Sequence, residues 1–225
     1  MSPNSVFSKI LRFIGIFFMS LTAGFTILGG AGTTCAALLP TKWDSMAPLA
    51  PFQWLYILYV IVTIAIGVLG IRAVVKLVKG HKDAYKAAMI ALVAGVVIGG
   101  LHIYTSRMLR GSSMPVDAVV YTTVLTLVIF LLFRIPPIWK GVDYSKAPRK
   151  EKKISAGVSS IVTGVLCLTI QFFMAPTHTW NGINYAAAYT TAMTVSALVC
   201  GFIGLILLSP FGKMSLLVKE KIQSH

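Results

Sequence analysis

The chain has 225 residues, of which 56% are hydrophobic and only 12% are charged, and its mean hydropathy is +0.82. Because a soluble domain carries about 25% charged residues, this composition excludes a soluble globular protein. The formal net charge of +14 would suit a nucleic-acid-binding protein, but the positions of the basic residues give a different explanation.

Six apolar runs follow one another along the chain, and each could cross about 30 Å of hydrocarbon as a helix rising 1.5 Å per residue. A helix is expected because backbone groups left unpaired in lipid are costly. We therefore predict an all-α integral membrane protein, a bundle of six transmembrane helices arranged as three outward-opening hairpins in a single domain, 1–225. The predicted helices are approximately 13–39, 52–75, 84–106, 116–135, 155–175 and 186–209.

The first run follows Lys9 and Arg12, as the apolar part of a signal peptide follows its basic residues. It continues to Pro40, which is longer than a typical signal peptide, and it ends without a small-residue cleavage site. We therefore interpret this run as a retained first helix.

Lysine and arginine are divided unevenly between the two sides of this topology. Of the 20 Lys and Arg residues, only Lys42, Arg107 and Arg110 fall outside when the N-terminus is placed in the cytoplasm. This split follows the positive-inside rule and predicts that both termini are cytoplasmic, as an even number of helices requires. The expected location is a bacterial or archaeal cytoplasmic membrane, and the basicity is explained without nucleic acid.

The longest predicted loop is the basic cytoplasmic segment 136–154, which is rich in proline and is a candidate hinge before the last hairpin. Near an anionic membrane surface each cation contributes about 1 kcal/mol. The simpler interpretation is a solvated topology signal, and the functional one is contact with anionic lipid head groups. The candidate head-group contacts are Lys146, Arg149, Lys150, Lys152 and Lys153.

Small residues spaced four apart mark the helix faces that are expected to pack, since membrane helices associate where their backbones approach closely. The third helix carries such a row at Ala87, Ala91, Gly95 and Gly99. The fourth helix is rich in Leu, Val and Phe. We therefore predict that the first, third, fifth and sixth helices form the interior and that the fourth faces lipid.

Polar residues gather toward the predicted outer side, whereas no Asp or Glu lies inside a predicted span away from its ends, which disfavours a proton-coupled transporter. On a helical wheel His102 falls within about 20° of Gly95, so it is expected to face other helices. Together these residues suggest an outward-facing pocket. The candidate ligand-binding residues are His102, Ser106, Arg107, Arg110, Asp117, Gln171 and His178.

The same residues also have a structural interpretation. Arg107 and Arg110 would end the third helix, Gly111 would take the left-handed conformation after it, and Arg110 would pair with Asp117 across the turn. His102 would bond to a neighbouring helix. In the functional interpretation the arginines hold a carboxylate, a phosphate or a quinone carbonyl. No motif predicts a metal, a cofactor or a catalytic residue.

The leading functional hypothesis is a structural or accessory subunit that packs against a larger membrane complex. One alternative is a small transporter or channel with an outward-facing polar pocket, and another is a membrane-embedded enzyme acting on lipid or quinone. The expected partners are the lipid bilayer, anionic lipid head groups at the cytoplasmic face, and a membrane-protein partner or a second copy of the chain. Nucleic acid is not expected.

Overall fold

A computed structural model of the protein describes residues 2–42, 44–146, 149–180, 183–184, 187 and 190–209, with only the backbone for some residues of α6, α7 and the strands. The described residues are mostly helical. The helices are α1 (Val6–Leu38), α2 (Gln53–Lys79), α3 (Ala84–Arg110), α4 (Val116–Phe133), α5 (Pro136–Val142), α6 (Arg149–His178) and α7 (Thr190–Leu208). Shorter elements are the 3-10 turns Pro40–Lys42, Ala47–Phe52 and Tyr144–Lys146, and the antiparallel strands β1 (Thr179–Trp180) and β2 (Ile183–Asn184).

Four helical segments are long and apolar enough to cross a membrane, namely α1, α3, α4 and the segment Ala47–Lys79 that contains α2. These helices are those expected of an integral membrane protein. The apolar stretches described in the last two helices, Lys153–Thr169 and Met193–Leu208, are shorter. The six-span topology and its orientation therefore stay predictions.

The chain divides into two compact units, Met1–Ala147 and Pro148–His225. In the first unit α1 packs on α2 and α4, and α3 packs on α2 and α4, so the four antiparallel helices close into a bundle. In the second unit α6 and α7 pack along each other.

The two ends of the first unit are named here after the glycines that end α2 and α3. Gly80 (φ 71°) and Gly111 (φ 70°) both take the left-handed conformation that favours glycine, and the Gly111 amide donates to the Arg107 carbonyl at 2.9 Å. This confirms the predicted role of Gly111. The Gly111 end also carries the 39–52 connection, and the Gly80 end carries residues 134–146.

α4 is one of the four packed helices of the first unit, with one face buried and the other exposed, so the prediction that it stands outside the packed interior is wrong. Its Thr123, Thr126 and Phe130 side chains are buried. The small-residue row of α3 packs on this helix, because a Cβ atom at Gly99 would overlap the Val120 side chain. A row of small residues thus marked the correct face of α3, but it did not identify the helix that covers it.

The interval 136–154 is largely helical instead of forming a long loop. α5 and the 3-10 turn Tyr144–Lys146 pack under the Gly80 end, and α6 already begins at Arg149. The buried Arg12 guanidinium donates to the Gly141 carbonyl at 2.6 Å and to the Pro3 carbonyl at 2.8 Å. Arginine side chains bond favourably to carbonyls at the end of a helix, so Arg12 holds α5 and the N-terminal segment against α1.

Candidate functional site

His102 lies inside the first unit, on the face of α3 that the helical wheel predicted. Its side chain is only 4% exposed. The imidazole ring stacks on the Tyr59 ring with centroids 4.4 Å apart and planes 11° apart, and it meets the Tyr56 ring edge-on at 5.4 Å. Aromatic pairs in such geometries contribute about 0.5–1.5 kcal/mol beyond the burial of their area, so the two tyrosines of α2 fix the orientation of the ring.

The two tyrosines are themselves held by hydroxyl groups of α3. The Tyr56 hydroxyl is 2.8 Å from the Ser106 hydroxyl, and the Tyr59 hydroxyl is 3.1 Å from the Thr105 hydroxyl. Ser106, a predicted site residue, is therefore a partner of Tyr56. These bonds join α2 to α3 near the Gly111 end. They use the hydroxyl groups of both tyrosines and do not involve the imidazole.

A cavity of about 20 Å³ adjoins His102 in the middle of the first unit. All four long helices line it, with Thr26 and Thr33 from α1, Thr63 from α2, and Thr123 from α4 among the lining residues. Such a volume accommodates one or two water molecules, whereas sites for small organic ligands measure roughly 300–1,000 Å³. The cavity is therefore too small for a quinone or a lipid head group.

Threonine hydroxyls continue from this cavity toward the centre of the bundle. A second cavity of about 10 Å³ shares Thr26 and Thr123 with the first and is also lined by Thr22. Beside it the Thr22 and Thr126 hydroxyls are hydrogen bonded to each other at 2.7 Å, which joins α1 to α4. Farther toward the Gly80 end the core is apolar, with Leu92 among its members.

Arg107 and Asp117 form an ion pair at the turn between α3 and α4. The Arg107 Nη2 atom lies 2.7 Å from Asp117 Oδ1, and the Ser113 hydroxyl accepts from Arg107 Nε at 2.9 Å while it donates to Asp117 Oδ2 at 2.7 Å. The prediction that Arg110 pairs with Asp117 is wrong, since Arg110 donates to the Met114 carbonyl at 2.8 Å instead. The hydrogen bonds and the ion pair among these groups stabilise the turn.

The predicted pocket residues thus fall into separate groups. His102 and Ser106 lie in the interior with Tyr56, whereas Arg107, Arg110 and Asp117 belong to the turn. The side chains of Gln171 and His178 lie outside the described residues, although both positions belong to the backbone of α6. Across the part of the chain that the structure describes, no group of three or more His, Cys, Asp and Glu side chains could hold a metal ion.

The predicted head-group contacts lie on both sides of the boundary between the units. Lys146 pairs with Asp143, with the two charged atoms 3.2 Å apart. Burial alone would raise the pKa of Asp143, but hydrogen bonds from Ser145 and Lys146 outweigh it, and the pKa is lowered. Lys153 lies in the first turns of α6. The side chains of Arg149, Lys150 and Lys152 lie outside the described residues, and their backbone starts α6.

Sequence reasoning missed several residues that shape this region, above all Tyr56, Tyr59, Thr63 and Thr123. Their signal was present, since Tyr56, Tyr59 and Thr63 are spaced three and four apart and therefore share one face of α2. Comparison with protein-family models, with curated proteins and with solved structures finds no match to this chain.

Proposed function

We propose that this chain is a structural or accessory subunit that packs against a larger membrane complex through its outer helix faces. The small size of the cavities inside the first unit carries the proposal. The cavity beside His102 measures about 20 Å³, and the turn arginines bond to Asp117, Ser113 and Met114. Since the cavity beside His102 has no room for an organic substrate, the proposal assigns recognition to the outer faces of the helices.

Glycines with open space beside them support contact with another membrane helix. Gly32 and Gly100 in the first unit are exposed and Gly201 in the second is half-buried, and each has open space where a Cβ atom would stand. Membrane helices pack most closely where small residues let their backbones approach. Large apolar side chains lie beside these glycines, and Leu101 and Leu198 are 51% and 66% exposed.

Photo-crosslinking in intact membranes tests this proposal. A photoreactive amino acid at position 101 lies next to Gly100, and one at position 198 lies about one turn from Gly201. The control position is Ile61 on α2, which is 61% exposed. We expect a discrete adduct with one other polypeptide from position 101 or 198, and lipid adducts from position 61. Lipid adducts alone from all three positions would contradict the accessory role.

A small transporter or channel is the second candidate, because threonine hydroxyls and His102 line adjoining cavities in the first unit. The apolar core toward the Gly80 end, which includes Leu92 and Phe130, interrupts this polar interior and weighs against a path. Uptake by proteoliposomes that is lost in His102→Phe but kept in Arg110→Ala would favour transport. The third hypothesis, an enzyme acting on lipid or quinone, has no catalytic grouping among the described residues to support it.

Anionic lipid head groups are the proposed partners of the first turns of α6. The supporting observation is that α6 begins at Arg149, so this residue, Lys150, Lys152 and Lys153 stand together on its opening turns. Each cation near an anionic surface contributes about 1 kcal/mol. We expect phosphatidylglycerol to raise the thermal stability of the chain in micelles, and replacement of the four residues by glutamine to remove this effect. Unchanged stabilisation would remove this role.

A further inference from the structure

His102 is a buried polar side chain that borders the cavity. Its ring packs against the rings of Tyr56 and Tyr59, and neither of these contacts uses a ring nitrogen as a hydrogen-bonding group. A neutral imidazole offers one N–H donor and one nitrogen acceptor. A polar group with so little exposure gains from a hydrogen bond, so a partner in the adjoining cavity would be favourable.

The cavity wall specifies the chemistry of that partner. The Thr26, Thr33 and Thr123 hydroxyls each donate to the carbonyl four residues earlier in their own helix, at 2.7–2.8 Å. Their oxygen atoms therefore remain available as acceptors. The lining residues carry no Asp, Glu, Lys or Arg, so a charged guest would be buried without a counter-charge, at high cost.

We infer that this cavity is a binding site for water, with one or two molecules that bridge the His102 imidazole and the threonine hydroxyls. Water donates to the threonine oxygens and both donates to and accepts from a neutral imidazole. A cavity of about 20 Å³ suits this occupant, since one water needs roughly 10–15 Å³ measured in the same way. The inference goes beyond the proposed function and does not depend on it.

With water at this site, the two halves of the bundle interior would differ in polarity and hydration. Toward the Gly111 end, His102 and the threonines form a hydrated polar interior, whereas the apolar core around Phe130 stays dry. Buried waters that bond to otherwise unsatisfied groups are costly to remove. The bound water, together with the two tyrosines, would therefore fix the imidazole without a charged partner.

Radiolytic hydroxyl-radical labelling of the full chain in micelles tests this inference, because a brief X-ray pulse generates the radicals from water next to the side chain. We expect His102 to be modified at a rate comparable to that of the exposed His81, whereas the buried Phe130 stays protected. Protection of His102 to the level of Phe130 would overturn the inference in the unmodified protein, without any variant.

Variants then separate bound water from general solvent access. In His102→Phe an equally reactive ring can still stack on Tyr59 but has no nitrogen, so labelling at position 102 should fall to the level of Phe130. Thr123→Val, which removes one acceptor at nearly constant volume, should lower the labelling of His102. Thr122→Val is the matched control, because the Thr122 hydroxyl donates to the Ala118 carbonyl and lies outside the cavity lining, and it should leave the labelling of His102 unchanged. Labelling at position 102 that persists at the wild-type rate in His102→Phe would overturn the role of the imidazole.

Discussion

Threonine hydroxyls set the polar character of the bundle interior at the scale of single residues. Thr26, Thr33, Thr123 and Thr126 all donate to a carbonyl of their own helix, so each can be buried without the cost of an unpaired donor. Thr22 and Thr126 also bond to each other between α1 and α4. Interhelical side-chain bonds of this kind in membranes contribute about 0.6 kcal/mol on average and about 1.7 kcal/mol at most.

Thr126→Val should therefore destabilise the first unit by about 1 kcal/mol, since it removes the bond to Thr22 while it keeps the side-chain volume. Thr122→Val is the matched control, because the Thr122 hydroxyl donates only to Ala118 of its own helix. Unfolding of both variants in mixed micelles measures the difference. Equal midpoints for the two variants would show that the interhelical bond contributes nothing.

The burial of His102 was predictable because helical phase alone decides which face of α3 a residue occupies. The pairing of Asp117 was not, because it depends on the path of the chain through the turn. Ser113 bridges Arg107 and Asp117, and the chain reversal after Gly111 directs Arg110 to Met114. Backbone geometry decides which residue pairs with a charged side chain in a tight turn, and this geometry could not be predicted from the sequence.

At the scale of helices, glycines determine how closely neighbours approach. A Cβ atom at Gly204 would lie 2.5 Å from the Ile161 side chain and 2.8 Å from the Gly157 carbonyl, whereas one at Gly201 would meet nothing within 4 Å. Both glycines belong to α7, three residues apart. The α6–α7 contact thus depends on one of them and tolerates change at the other.

Gly204→Ala should destabilise the second unit by about 1–3 kcal/mol, as overpacking of a close contact does. Gly201→Ala should change the free energy of unfolding by less than about 0.5 kcal/mol. Both free energies of unfolding can be measured by denaturing the full chain in detergent mixtures. Proteolytic cleavage within the α6–α7 segment reports the unfolded fraction. If the two variants behave alike, the close packing at Gly204 does not stabilise the hairpin.

Two elements of the first unit differ from the sequence prediction for physical reasons. α4 was predicted at the lipid because it is rich in Leu, Val and Phe, but its buried face carries Thr123 and Thr126 as well as Phe130. Segment 136–154 was predicted as a loop because Pro136 and Pro137 suggest irregular backbone. Proline is tolerated in the first turn of a helix, and α5 begins there.

Within the first unit, most basic residues lie near one or the other end of the bundle. Lys42, Arg107 and Arg110 belong to the Gly111 end, whereas Lys79, Lys82 and several others belong to the Gly80 end. The small interior cavities, the open glycine positions and the apolar outer faces are the observations on which the proposed accessory role rests.

Native mass spectrometry of the chain, extracted in mild detergent at its natural abundance, tests the accessory role most directly. We predict a complex in which the chain is bound to a different membrane polypeptide in a fixed ratio that survives exchange into a second detergent. Recovery of the chain alone with lipids, or only with copies of itself, would contradict the accessory role.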